Sequence, residues 1–261
     1  MKKFLSVWAV TVGIAQALSA LPVVQVPDMP PETYRPTVTV GYSKTLTFEN
    51  ALNSPLWDKL PSYSLMRYVT DITLIDVRAT ETTKVKYMFN DDFLFVRAEM
   101  QDSDVVTIAH KNQGHFYMEG DVLEVFVKPE KGTYYWEFYS TPNKFFTTYF
   151  FPARGTHGLP SNYDKISVKL QVDAKINGTL NNQTDRDKSW IGLIAIPRTE
   201  LEKFGTRFGF GNKWTIMTAR YNFSRYLPFR EQSSYPQCTR GFHSTEYYAA
   251  IKFINLDTEK K

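Results

Sequence analysis

The sequence predicts an all-β chain, an antiparallel β-sandwich with one short helix, and three observations carry that prediction. Apolar residues alternate with others at a period of two in run after run, turn-forming residues break the runs at short intervals, and helical periodicity is nearly absent. Many short strands separated by turn signals are the pattern of a sandwich, in which each strand buries one face against a second layer.

Residues 1–20 read as a secretory signal. Lys2 and Lys3 lead into an apolar run from Phe4 to Ala15, and small residues place cleavage between Ala17 and Ala20. The run is shorter than the roughly 18 apolar residues a spanning helix requires, and no later segment reaches that length. The expected mature chain is therefore exported, either secreted or periplasmic. Residues 21–44 are read as a proline-rich lead or strap, because the prolines between Leu21 and Pro36 have no amide proton to donate to a central strand.

Residues 45–254 hold the expected sandwich, with residues 255–261 as a charged tail. Strand-like runs extend over Leu74 to Ala79, Lys84 to Phe89, Phe93 to Met100, Asp121 to Lys128, Thr133 to Tyr139 and Phe145 to Phe151. Further runs cover Ile166 to Ile176, Trp190 to Ile196, Lys213 to Tyr221 and Tyr247 to Phe253. One helical turn is predicted from Thr199 to Phe204, closed by Gly205, and the polar stretch from Asn177 to Lys188 reads as a loop or hairpin tip.

The segment KVKYMFNDDFLFVRAEMQD is a hairpin by its alternation. Val85, Tyr87 and Phe89 share one face, the chain turns at Asn90, Asp91 and Asp92, and Leu94, Val96, Ala98 and Met100 share a face beyond the turn. The run from Asp121 to Lys128 is less regular, since Glu124 falls on the face that holds Val122 and Phe126, opposite Leu123, Val125 and Val127. An ionised carboxylate on an apolar face costs several kcal/mol unless it is hydrogen-bonded. Glu124 therefore needs a partner, either a backbone amide or arginine of the protein or a ligand.

Composition narrows the function classes. Only Cys238 is present, so no intrachain disulfide staples the fold, and an ordinary core must hold it. The formal charge of +4 comes from 31 basic and 27 acidic residues scattered along the chain, without the dense basic stripe that phosphate tracking demands. Aromatic residues, at 15%, are in surplus, which suits a surface that meets flat apolar ring faces.

Several pieces recur in one order: PLWDKLP, the hairpin above, GDVLEVFV, YYWEFYSTPNK, SWIGLIAIPRTEL, GNKWTIMTARYN and FHSTEYYAAIKF. Over roughly residues 45 to 254 this order resembles the family 9 carbohydrate-binding modules and the secreted proteins built on them. The resemblance implies a jelly-roll-like sandwich and a sugar held between two aromatic side chains, with a glutamate and other polar groups bonding its hydroxyls. The glutamate falls on Glu124. One clamp aromatic falls on Met118, so Phe116 or Tyr117 of the same loop would replace it; the other falls on Phe242. An expected asparagine falls on Thr239, and an expected arginine falls near Tyr139. The implied partner is a glycan or oligosaccharide, in the company of polysaccharide-degrading enzymes.

Other chemistries find less in the sequence. Asp121 and Glu124 lie on opposite faces of their strand and cannot flank a glycosidic bond, so any link to glycoside hydrolysis would be through association. Asp121 is expected to brace the loop before its strand. Asp91, Asp92, Asp102 and Asp104 are the residues that would hold a structural calcium, although their spacing is not that of a calcium loop. His110, His115, His157 and His243 show no HExxH or i,i+4 pairing, and His243 is expected to be a structural hydrogen-bonding residue. No GxSxG is present. Two alternatives remain: a b-type haem electron-transfer domain using Met118 with His115 or His243, and an assembly module that presents its aromatic surface to another protein.

Overall fold

Alternating sequence becomes a single thirteen-stranded sheet that curls into a nearly closed barrel. The computed structural model describes residues 35–70, 77–154 and 168–258. The expected signal segment, most of the proline-rich lead, His157 and residues 259–261 lie outside the described residues, as do parts of the runs expected at Leu74 to Ala79 and Ile166 to Ile176.

The strands are β1 (Thr37–Tyr42), β2 (Tyr63–Ser64), β3 (Met66–Arg67), β4 (Thr83–Phe89), β5 (Phe93–Gln101), β6 (Val122–Pro129) and β7 (Tyr135–Ser140). They continue as β8 (Phe146–Phe151), β9 (Gln171–Asn177), β10 (Ser189–Pro197), β11 (Trp214–Asn222), β12 (Glu231–Tyr235) and β13 (Ala249–Asn255). Two single-turn helices, α1 (Phe48–Ala51) and α2 (Arg198–Leu201), interrupt them. The second overlaps the turn expected from Thr199 to Phe204, beginning one residue earlier.

One wall runs β8, β7, β6, β11, and the other β13, β1, β4, β5, β10, β9. β11 joins them, because Thr215 and Ile216 pair with β13 while Thr218 to Asn222 pair with β12. The expected all-β character is present, and the arrangement departs from a purely antiparallel sandwich in two respects. The walls are continuous through β11, and β1 runs parallel to both β13 and β4. No hairpin ties β1 to either neighbour; a long crossover through α1, β2 and β3 separates it from β4, and such connections permit parallel pairing.

β1 also corrects the extent of the lead. The strand begins directly after Pro36, and Val38 and Val40 are fully buried in the core, so residues 37–42 are a central strand and no strap. At the far end, Asn255 closes β13. Leu256 donates its amide to the Tyr42 carbonyl, and Asp257 accepts from the Ser43 hydroxyl at 2.7 Å, which docks the start of the expected tail.

The predicted hairpin forms as β4 and β5, with Phe89 opposite Leu94. Asn90 makes the turn by accepting from the amides of Asp92 and Phe93 at 2.8 and 2.7 Å. Leu123, Val125 and Val127 of β6, with Trp136 and Phe138 of β7, meet Val85, Tyr87, Leu94, Val96 and Trp190 across the shared interior. The outer face of the β4–β5–β10 wall is covered by residues 46–60, whose Trp57 and Leu60 pack on Met88, Phe95 and Leu193. The outer face of the other wall is covered differently, and the site lies there.

Candidate functional site

Strand pairing decides which side chains share that face. Along β6, Val122, Glu124 and Phe126 point away from the shared interior, as the alternation requires. Glu124 lies opposite Tyr139 of β7 and Ala219 of β11, whereas Glu137 of β7 lies opposite Phe126 and, on its other side, Tyr149 of β8. Glu124 and Glu137 are thus diagonal neighbours on one face, close enough for their charges to interact.

Two covering segments close over this floor and leave a cavity of about 630 Å³. Residues 106–119 supply His115 and Tyr117, and residues 241–243 supply Phe242 and His243, with Tyr68 and Gln232 at the side. The first segment is held by Asp121, whose carboxyl accepts from the amides of Val106 at 2.7 Å and Phe223 at 2.8 Å. This is the bracing role expected of it. Phe116 anchors the same segment from beneath, fully buried against Val122, Tyr139 and Tyr149. The second segment is held by the Tyr248 hydroxyl donating to the Phe242 carbonyl at 2.8 Å and by the 2.9 Å bond between the Tyr135 hydroxyl and His243 Nδ1. His243 therefore has the hydrogen-bonding part expected of it and also lines the cavity.

The electrostatics are those of two buried acids side by side. Glu124 is 1% exposed, and its Oε1 has no hydrogen-bond partner among the described residues. The Tyr139 hydroxyl donates to Glu137 Oε1 at 2.7 Å. Burial, and then the charge of Glu137, push the Glu124 carboxyl well above the usual carboxylate range, against the pull of the Tyr139 hydroxyl and the Arg230 charge. Burial raises Glu137 to about 8, with the Tyr139 hydroxyl opposing it. Burial raises the Tyr139 phenol in turn, and both carboxyls add to the effect. An orphaned oxygen in a native protein marks a missing partner.

Aromatic rings complete the walls. Phe242 meets Tyr68 and Tyr221 edge to face, each at 5.7 Å between ring centres. Tyr149 hydrogen-bonds His115 Nδ1 at 3.1 Å, and Arg230 lies over the Tyr221 ring at 5.1 Å while donating to the Tyr117 carbonyl.

No protein-family model matches the chain, and no curated protein does. Solved structures do match. A Bacteroides uniformis protein provisionally described as carbohydrate-binding superimposes with a TM-score of 0.63 at 12% identity, covering 84% of this chain and 100% of its own. A family 9 carbohydrate-binding module from Caldicellulosiruptor kristjanssonii in complex with cellotriose gives 0.55 at 14% identity, over 84% of this chain and 94% of its own. The chain has the family 9 carbohydrate-binding module fold. A family 9 module from the same organism in complex with glucose gives 0.54 at 12% identity, over 86% of this chain and 100% of its own.

Of the residues carried over from the family 9 pattern, Glu124, Tyr117, Tyr139 and Phe242 meet in one cavity. Three do not. Phe116 packs beneath the covering segment, Met118 is 59% exposed and outside the cavity, and Thr239 lies three residues before Phe242 without lining it. Met118, offered as a haem ligand with His115 or His243, does not line the cavity that both histidines line. Of the four aspartates that would hold a calcium, Asp102 pairs with Arg220 at 2.7 Å, Asp104 accepts from the Arg225 amide and Asp91 accepts from the Tyr42 hydroxyl. Among the described residues no three His, Cys, Asp or Glu gather in a metal-holding group.

Glu137, Tyr149, Tyr68, Tyr221 and Gln232 are cavity residues that sequence reasoning missed, and His115 it named only as a haem ligand. Glu137 carried a findable signal. It shares its face with Tyr135 and Tyr139, although aromatic residues on both faces of that run blunt the contrast that marks Glu124.

Proposed function

We propose that the chain is an exported, non-catalytic carbohydrate-binding protein associated with polysaccharide catabolism, holding a glycan in the cavity above Glu124. The observation that carries this reading is the unpartnered Oε1 of Glu124 on the floor of an aromatic-walled cavity. A carboxyl accepts from two sugar hydroxyls at once, and the ring faces of Tyr117, Tyr221 and Phe242 suit the C–H faces of a pyranose. The fold supports the same reading, since the family 9 structures it matches hold cellotriose and glucose. Export rests on the signal pattern of residues 1–20.

Binding is favoured over hydrolysis because both carboxyls sit as neighbours on one face of one wall, whereas a hydrolytic pair flanks the scissile bond from opposite sides. A glycan array of plant, algal and host polysaccharides tests the proposal with the purified protein. Retention of at least one glycan, released uncleaved, is expected. A blank array overturns the proposal, and shortened oligosaccharides in the eluate overturn its non-catalytic part.

A further inference from the structure

The cavity holds two buried carboxyls and, among the described residues, no lysine or arginine in its lining. Glu124 and Glu137 are diagonal neighbours on one face, and only one of the four carboxyl oxygens has no partner and is fully enclosed, Glu124 Oε1. Seven of the thirteen lining residues are aromatic. A neutral sugar satisfies Oε1 but leaves two adjacent buried acids, each of which disfavours the other's ionisation. A cation placed above them removes that conflict, and aromatic faces within about 6 Å of an ammonium add to the attraction.

We infer that the ligand of this cavity is an amine-bearing sugar, its protonated amine seated between Glu124 and Glu137 and its pyranose ring against the surrounding aromatic side chains. The inference rests on the carbohydrate reading above and narrows it to glucosamine-type residues over neutral ones. The charged groups facing the pair are consistent with it. Arg230 reaches the pair from the segment before β12, but its guanidinium already bonds the Tyr117 carbonyl and covers Tyr221. From β7 and β8, Tyr139 and Tyr149 face the pair as neutral phenols whose pKa burial raises, and Tyr221 does so from β11. His115 and His243 approach from the covering segments, each bonded to a tyrosine hydroxyl. Burial holds the free carboxyls partly protonated, so seating an ammonium drives proton release from the site.

The test is calorimetric titration of the purified protein, near neutral pH, with three β-1,4-linked series of equal length: glucosamine oligomers, N-acetylglucosamine oligomers and cello-oligosaccharides. The glucosamine series should bind tighter than either neutral series by about tenfold or more. Its heat alone should vary with the ionisation enthalpy of the buffer, as released protons require. In Glu137→Gln and in Glu124→Gln the ratio of amine to neutral affinity should fall toward one, with two variants covering the case in which one fails to fold. Equal or tighter binding of a neutral series overturns the inference and leaves the carbohydrate reading standing. The same holds if no series binds while the array retains another glycan. A blank array overturns both, and a sugar-free ammonium that binds as tightly as the glucosamine series overturns the sugar part of each.

Discussion

Glu124 was legible as a residue out of place, because alternation set a carboxylate among apolar neighbours and left it wanting a partner. The structure supplies none for Oε1. Glu137 was harder to see. It lies in a run where both faces are aromatic, so the alternation offers no contrast, and its meeting with Glu124 depends on a strand register that no local pattern encodes. Phe116 shows the converse difficulty, since a loop aromatic can equally line a site or anchor it. Glu137 supports a prediction about pH. The unfolded chain releases this proton near the ordinary value of 4.5, the folded chain only near 8, so the folded state binds more protons in between. Stability therefore falls as pH rises through that window. The unliganded protein should lose on the order of 3 kcal/mol between about pH 5 and pH 8 through Glu137, and Glu137→Gln should make the slope shallower, leaving the part that Glu124 contributes. Urea unfolding at a series of pH values measures it, and an equal slope in the variant removes Glu137 as the cause.

At the level of elements, the hairpin of β4 and β5 and the strand β6 follow from period-two alternation. β12 does not, because its sequence EQSSY is polar although much of it is buried. Its interior charge is met from a distance in sequence: Arg67 donates to Glu231 Oε1 at 2.7 Å, and the Thr80 amide does so at 2.9 Å. The covering segment 106–119 depends on Gly120, which has φ +141° and pairs with Thr107. A Cβ there would lie 2.4 Å from the Val106 carbonyl oxygen and 2.5 Å from the Thr107 Cα. Gly120→Ala should cost about 2 kcal/mol or more and displace His115 and Tyr117 from the cavity. Denaturant unfolding beside glycan titration should show both losses; full stability in the variant would mean the segment is not held there.

Across the whole molecule, all-β character was legible from the sequence, while the joining of its walls was not. β11 changes partners midway, and β1 pairs in parallel with strands far from it in the chain, both consequences of long-range contacts. One buried ion pair links the walls. Arg220 of β11 donates to Asp102 Oδ2 at 2.7 Å and to the Gln101 carbonyl of β5 at 2.7 Å, with both side chains buried. Asp102→Ala leaves that guanidinium unpaired in the interior and should destabilise by about 3–5 kcal/mol. The unfolding midpoint should drop with little change in slope, because the surface exposed on unfolding is the same. A loss within error of zero would mean that Arg220 finds another partner.

The central claim is that Glu124 anchors a glycan. Its most direct test is the affinity of Glu124→Ala, against wild type, for an oligosaccharide that the array retains. The account predicts binding weaker by at least ~1 kcal/mol, as for a lost charge-assisted hydrogen bond, with the fold intact by circular dichroism. Equal affinity in a folded variant would contradict it and place the site elsewhere.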